Sequence, residues 1–453
     1  MNNHLGWSIV FISFVADALC LGARALFVII ILFWQKEFGW TTTQLSGIIS
    51  LAHIMQGIFT PISGYASDIL PPDIVVGGGL IVLSVSLGLM ATVNSLWSAW
   101  IIAGGCCGIS FGLLNLNVYA VAVTKATSKE RQGLAVGIAT SGSTFGQFTL
   151  IPLFALLPNW RVGYLWMCGA TALLILPSIV LLRISRKRRE KVLLVLSTIK
   201  DAQRDTPTVT VTSSPSSSIC SKRLKALICS WPYAALTIAF FICGITTTGF
   251  IETHLVSVSV HRGFSIEVGA AAFAVLCAVN GFSMILAGYL SDRYSRTLLL
   301  GLIFLGRGVA YLILILAIEK DQVWLFTFAV LFGLCDYSVV PPVISLVTTH
   351  AGAESVGVGV GILLAWHSLG ASLGALLGGS LFDEEGNYQS SLVLCALLCV
   401  VASVVVVSIR PEPMFRSKNG SGARGGGGKD DALSVEMKRK DVEVEEKVVE
   451  ITL

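Results

Sequence analysis

Residues 63–68 read SGYASD, and residues 287–292 read AGYLSD. The Gly-Tyr-x-Ser-Asp pattern thus recurs 224 positions apart, and sliding the chain on itself by that offset shows how far the match extends. Gly39, Gly133, Gly137, Gly146 and Tyr164 fall on Gly263, Gly357, Gly361, Gly370 and Tyr388, while Trp40 and Thr41 fall on Phe264 and Ser265. One ungapped register runs through most of each half, so the chain reads as a duplication.

Composition says what was duplicated. Of 453 residues, 54% are hydrophobic and 13% charged, and the mean hydropathy is +0.79. A water-soluble domain of this length does not tolerate that balance, so the chain reads as an integral membrane protein. A hydrocarbon core of about 30 Å takes roughly 20 apolar residues per helix. Twelve such stretches stand between charges and turn residues: 5–34, 44–69, 73–93, 96–123, 131–156 and 161–183, then 231–257, 266–290, 297–317, 322–348, 355–381 and 389–410. The opening MNNHLGWSIVF has neither a basic leader nor a small-residue cleavage site and reads as part of a retained span.

With the N-terminus inside, 25 Lys and Arg fall in inside segments and four in outside loops, which places both termini in the cytoplasm. The domains expected are a six-helix bundle over 1–183, a flexible linker over 184–230, a second bundle over 231–410 and a disordered cytoplasmic tail over 411–453. The linker opens SRKRREK and continues TPTVTVTSSPSSS, and the tail holds GSGARGGGGKDD; neither composition can bury a core. None of the 11 cysteines falls in an outside loop, so they read as small packing residues rather than a disulfide framework or zinc site.

Two parallel six-span repeats about an axis along the membrane normal are a transporter architecture. The twelve spans, the long central loop and the repeated Gly-x-x-x-Asp element resemble the major facilitator superfamily. RALFVIIILFWQKEFGWTTTQLSG (24–47), SKERQGLAVGIATSGSTFG (128–146) and HSLGASLGALLGGSLFDEEGNY (367–388) resemble its monocarboxylate-transporter-like branch. The fold expected is all-α, with twelve transmembrane helices in two pseudo-symmetric bundles. The resemblance implies that spans 1, 2, 4, 5, 7, 8, 10 and 11 surround a cavity, with 3, 6, 9 and 12 outside. It also implies an inner gate in which Asp68 meets the start of span 11 near Ser355, and Asp292 meets the start of span 5 near Lys129 and Arg131. An aspartate at one helix end suits the positive N-terminus of another. The second copy carries Arg293 and Arg296 beside its aspartate, whereas the first reads DILPPD with no base.

Ionisable groups inside spans are functional candidates by default. Here they are Asp17, Arg24, His53, Glu252, His254, Arg307, Asp336 and His367. Asp17 and Arg24 lie two turns, about 10.5 Å, apart on one face of span 1. Arg24 suits a substrate carboxylate, or it serves in an internal ion pair. Asp17 either pairs with Arg24 or accepts a coupled proton. Arg307 and Asp336 form a buried structural pair, or Asp336 faces the cavity as the proton carrier. His367 can donate to a carboxylate, with packing as its plainer use. Asn115 and Tyr119 share a face of span 4, and Asn280 and Gln147 add polar reach. Span 8 reads AVNGFSMILAGYLSD, without the cation familiar in animal monocarboxylate carriers, which shifts anion binding to Arg24 and His367. Glycines every fourth residue, at 104, 108 and 112 and at 370, 374 and 378, permit close helix packing.

No phosphate-cradling Gly-rich loop with its lysine, metal-ligand cluster or nucleophile motif is present, so an enzyme is not expected. No cofactor, metal or nucleic-acid partner is implied. The expectation is a carrier that moves small organic anions, monocarboxylates first, with protons across the plasma membrane by alternating access. An anion exchanger, a neutral-solute carrier of the same fold, and a non-transporting sensor or scaffold stand as alternatives.

Overall fold

The structure, a computed structural model, describes residues 3–127, 132–202, 230–291, 293–316, 321–351 and 356–409. Among them, twelve helices are long and apolar enough to cross a bilayer. They are His4–Ala25, Thr42–Ser67, Pro72–Met90, Leu96–Leu113, Leu134–Ala155 and Trp160–Lys191, then Trp231–His261, Ile266–Ser291, Arg296–Leu316, Gln322–Val347, Gly359–Glu385 and Gln389–Val407, numbered below as spans 1 to 12. The helix that begins as span 6 runs on to Ala202, so the first part of the segment read as linker continues a helix.

Lipid gives helices no hydrophobic reason to associate, so close backbone packing has to hold the bundle. Gly146 of span 5 sits so near span 1 that an added Cβ would lie 2.0 Å from the Ala18 carbonyl oxygen. Its repeat partner Gly370 of span 11 stands equally near the Phe241 oxygen of span 7. The duplication thus preserved one helix contact in both halves.

The chain breaks two spans at equivalent depth. Span 4 ends its helix at Leu113, with Leu114 at φ −109°, ψ 51°, and a new helix begins at Leu116. Span 10 breaks at Asp336, at φ −86°, ψ −81°, before a short 3-10 turn over Tyr337–Val339 and a helix that carries Pro341 and Pro342 in its first turn. Proline fits that first turn because its missing N–H would be unpaired there anyway. A break in a membrane helix frees carbonyls that lipid cannot satisfy. The Asn115 side-chain amide donates to the Gly112 oxygen at 2.9 Å. In the second half Arg307 donates to the Asp336 oxygen at 2.9 Å and to the Cys335 oxygen at 2.7 and 3.2 Å. Gly112 and Asp336 are repeat partners, so one carbonyl position is held by an amide in one copy and by a guanidinium in the other.

Spans 2 and 11 run antiparallel and close the two halves on the side that carries residues 42 and 383. Thr41 caps span 2 in a capping box with Gln44. The next two amides, of Thr42 and Thr43, donate to the two Asp383 carboxylate oxygens at 3.2 and 2.7 Å. Deeper in, Ser50 and Ser372 hydroxyls meet at 2.7 Å, and Gly57 packs on Ser368. Beyond Gly57 the spans part: a Cβ on Gly64 or Gly361 would meet nothing within 4 Å. Tyr65 of span 2 and Tyr289 of span 8, the tyrosines of the two hexapeptides, are 68% and 53% exposed. On the closed side, the repeat position of Asp383 is Asn159, whose side chain accepts from Arg161 N–H in its own loop at 2.9 Å.

Candidate functional site

Between the halves lies a cavity of about 150 Å³. Its lining comes from spans 1, 2, 4, 5, 7, 8, 10 and 11, the same eight that the resemblance implied. Leu21, Phe240, Met284, Val339 and Leu364 make an apolar wall. Arg24, Asn115, Asp336, Tyr337 and His367 supply polar groups.

Arg24 is buried, and its Nη2 donates to Glu252 Oε2 at 2.7 Å, an ion pair that joins span 1 to span 7. Six lining positions down to Thr248 belong to the cavity side of these helices, and Glu252 stands one turn beyond Thr248, so the pair caps the cavity towards residues 42 and 383. Tyr337 extends the cap: its hydroxyl donates to Glu252 Oε1 at 3.2 Å and accepts from Gln147 at 3.2 Å and Arg24 at 3.4 Å. Cys277 donates to the Gln147 side chain at 3.3 Å. Both halves thereby meet in one buried hydrogen-bonded layer. Span 7 bulges into π-turns over Ile245–Ile251 immediately before Glu252, a distortion that is frequent at functional sites.

The expected Arg307–Asp336 ion pair is corrected by the geometry. Arg307 turns to the backbone carbonyls of 335 and 336 and to Cys243 Sγ, at 3.2 Å. No ion pair joins it to the Asp336 carboxylate, because the helix break offers carbonyls that need donors more urgently. Asp336 instead lines the cavity and accepts from Asn280 Nδ2 at 2.8 Å. Asn280 stands behind that carboxylate, and its own oxygen accepts from Tyr337 N–H at 3.3 Å.

The other expected residues divide. His367 lines the cavity beside the Phe240 ring, centroids 5.8 Å apart. Asn115 lines it too, but its amide also serves Ser63 Oγ at 2.6 Å and the break carbonyl. Asp17 does not pair with Arg24: it is fully buried, with the Ser143 backbone beside it, and among the described residues neither oxygen accepts a well-formed hydrogen bond. Tyr119 is fully buried away from the cavity lining, and its hydroxyl has no partner among the described residues. His254 is a packing residue, its Nε2 2.9 Å from the Ala375 oxygen. Arg293 lies over the Tyr289 ring at 4.3 Å, and Arg296 donates to the Ser291 oxygen at 3.4 Å. Arg131, Asp292 and the Asp68 side chain lie outside the described residues, as do Lys129 and Ser355. The first hexapeptide does have a base beside it, since Lys125 Nζ donates to the Ser67 oxygen at 2.8 Å, and further on Asp73 is held by Arg183 at 3.0 Å and Arg186 at 3.4 Å, both supplied by span 6.

A cavity built from eight spans, four from each repeat, matches what comparison with known proteins finds. The sequence profile described as Major Facilitator Superfamily matches residues 7–364 and 280–444. The chain belongs to the Major Facilitator Superfamily. Within it, this superfamily member is similar to monocarboxylate transporter 13 of Rattus norvegicus, 25% identical over 89% of each chain. It is also similar to monocarboxylate transporter 12 of Homo sapiens, 23% identical over 88% of this chain and 80% of the relative. A solved POT family transporter in complex with 5-aminolevulinic acid shares the fold at TM-score 0.67 and 12% identity, over 90% of this chain and 96% of that one. A bacterial homolog of the human lysosomal transporter Spinster, inward-facing and occupied, aligns at TM-score 0.63 and 14% identity over 89% and 95%. Fold and relatives are those of transporters rather than enzymes.

The sequence marks Glu252 as a candidate without a role and Asp383 only as part of the 367–388 motif, and it does not mark Tyr337. The repeat contains the missing signal for the first. Arg24 falls on Thr248, and Glu252 is one turn further along the repeat-equivalent span, so opposite charges face each other across the superfamily member's pseudo-twofold axis.

Proposed function

We propose that the protein is a secondary transporter of small organic anions, monocarboxylates in the first instance, coupled to protons and working by alternating access. The observation that carries the reading is the buried Arg24 at the cavity cap, shared between Glu252 and Tyr337 across the two halves. A guanidinium held this way can exchange part of its carboxylate contact for a substrate carboxylate while Tyr337 remains a neighbouring donor. An anion entering a low-dielectric site adds a negative charge, and a proton taken by a buried carboxylate offsets it. Asp336 and Asp17 are the proposed proton acceptors, with His367 as a cavity donor.

The excess of basic residues in one set of loops supports cytoplasmic termini. In that orientation the closed 42/383 side faces outward and the parted side faces the cytoplasm, an inward-facing arrangement. Asp68 and Asp292, with Arg131, Arg293 and Arg296, are the proposed inner gate of the opposite state. A plasma-membrane location is proposed with them, in line with the similarity to monocarboxylate transporters.

Uptake of labelled lactate or pyruvate into proteoliposomes, with and without an imposed inward proton gradient, tests the reading. Gradient-stimulated uptake in the native protein, lost in a folded Arg24→Ala and partly kept in Arg24→Lys, is expected. Absence of uptake by folded native protein rejects these substrates, and ligand-dependent changes without flux point to a sensor.

A further inference from the structure

We infer that span 6 carries, beyond Ile184, a docking surface for anionic phospholipid headgroups made by Lys187, Arg188 and Lys191. The helix itself shows which of its sides meets lipid. Leu173, Leu176, Val180 and Ile184 follow one another at steps of three and four, and they are 78%, 70%, 43% and 39% exposed. That spacing puts them on one side of the helix. The opposite side packs into the bundle through Tyr164, Met167, Thr171, Ser178 and Leu182, all buried. In a chain that spans a bilayer, an exposed apolar stripe is the side that acyl chains cover. The same steps continue to Lys187 and Lys191, with Arg188 one position round, and all three are exposed. The lipid-facing stripe thus turns from apolar to basic without leaving its side of the helix.

The depth fits headgroups. The helix is continuous over Trp160–Ala202. At about 1.5 Å per residue it climbs about 36 Å from Trp160 to Ile184, slightly more than a hydrocarbon core of about 30 Å, and Lys187 to Lys191 lie about 4–11 Å further on. Asp73, in the first turn of span 3, fixes that height from within the protein, since Arg183 holds it at 3.0 Å and Arg186 at 3.4 Å. Those two bases are engaged by Asp73, whereas Lys187, Arg188 and Lys191 stand on the lipid side. Glu190 is the one acid in 183–191, against six bases. A basic cluster directly beyond a membrane span attracts anionic headgroups, each base near such a surface being worth about fivefold in binding. The repeat-equivalent helix, span 12, ends at Val407, whereas the repeat partner of Ile184 is Ser408. Among the described residues the surface therefore belongs to the first bundle alone. In the orientation proposed above it meets the cytoplasmic leaflet, where anionic lipid concentrates; the docking itself does not depend on that orientation.

The test is native mass spectrometry of the full chain in detergent, offered an equimolar mixture of dioleoyl phosphatidylserine and dioleoyl phosphatidylcholine. Phosphatidylserine should bind in preference by about fivefold or more. The triple variant Lys187→Gln, Arg188→Gln, Lys191→Gln should remove that preference. Arg189→Gln, which changes an exposed base on the opposite side of the same turn, should leave it in place. No preference in the native protein, or a preference unchanged in the triple variant, would overturn the inference. A loss as large in Arg189→Gln would also overturn it, because it would show attraction to net charge alone. Glycerophosphoserine, the headgroup without its chains, should not compete at equal concentration; full competition would reveal a site for soluble phosphate and overturn the assignment to lipid. Should the triple variant not fold, Lys187→Gln and Lys191→Gln singly should each lower the preference about twofold or more, and no change in either would overturn the inference.

Discussion

Arg24 and Glu252, 228 positions apart, meet at 2.7 Å in the buried layer where the two repeats touch. Removing one member of such a pair leaves the other charge uncompensated in the interior, at a cost of about 3–5 kcal/mol. Arg24→Leu and Glu252→Leu should each lower thermal stability in detergent by that order, and the double variant should recover most of the loss. A double-mutant cycle on unfolding temperature measures the coupling; additive losses would show that the pair contributes nothing across the interface.

At Arg307 the expected outcome separates a carbonyl anchor from an ion pair. Lysine holds its donors on a single nitrogen and cannot span the contacts that Arg307 makes from three, so Arg307→Lys should orphan at least one break carbonyl and cost about 1–3 kcal/mol. Asp336→Asn keeps the backbone carbonyls where they are and should change stability much less. Equal losses in the two variants, measured by thermal unfolding, would restore the ion-pair reading.

Glycine substitutions should divide by position. Gly146→Ala and Gly370→Ala each drive a methyl into backbone 2.0 Å away, where no side-chain movement helps, and should cost about 1–3 kcal/mol. Gly64→Ala and Gly361→Ala meet open space and should be neutral or raise stability by up to about 1 kcal/mol through helix propensity. Unfolding temperatures of the four variants give the comparison directly.

Glu37, past the end of span 1, accepts from Trp160 Nε1 at 2.7 Å and from Arg161 Nη1 at 2.6 Å. Partial desolvation acts to raise its carboxyl, but those hydrogen bonds and the Arg161 charge hold it below the usual 4.5. A depressed folded value means a contribution present above the unfolded pKa and lost as pH falls through the folded one. The pair is partly exposed, so the effect should stay within about 1 kcal/mol. The stability difference between native protein and Glu37→Gln should shrink below the ordinary carboxylate range, and a difference unchanged to low pH would exclude the contribution.

The fold was legible because lipid imposes a coarse rule: apolar length gives the spans, and the hexapeptide repeat gives their grouping. The cavity was legible as a set of eight spans, and Arg24, Asp336 and His367 as groups that line it. Side-chain partners were not. Arg307 and Asp336 looked like a pair because opposite charges in adjacent spans are the simplest neutralisation, and nothing in periodicity announces a helix break that releases carbonyls. Pro341 and Pro342 were the available sign of it. Glu252 was hidden differently, because a contact across the pseudo-twofold axis has no local pattern.

The Asp383 cap on span 2 has no twin. At the repeat position, Asn159 bonds within its own loop, so a carboxylate-to-amide fastening joins the halves along the edge of spans 2 and 11 and, among the described residues, is not repeated at the corresponding position near spans 5 and 8. Two like leaves stitched along one margin do not separate like a split log. Here the stitch is the grip of Asp383 on Thr42 and Thr43, set at one margin of the pair. A duplicated molecule has in this way acquired a front and a back within its own symmetry.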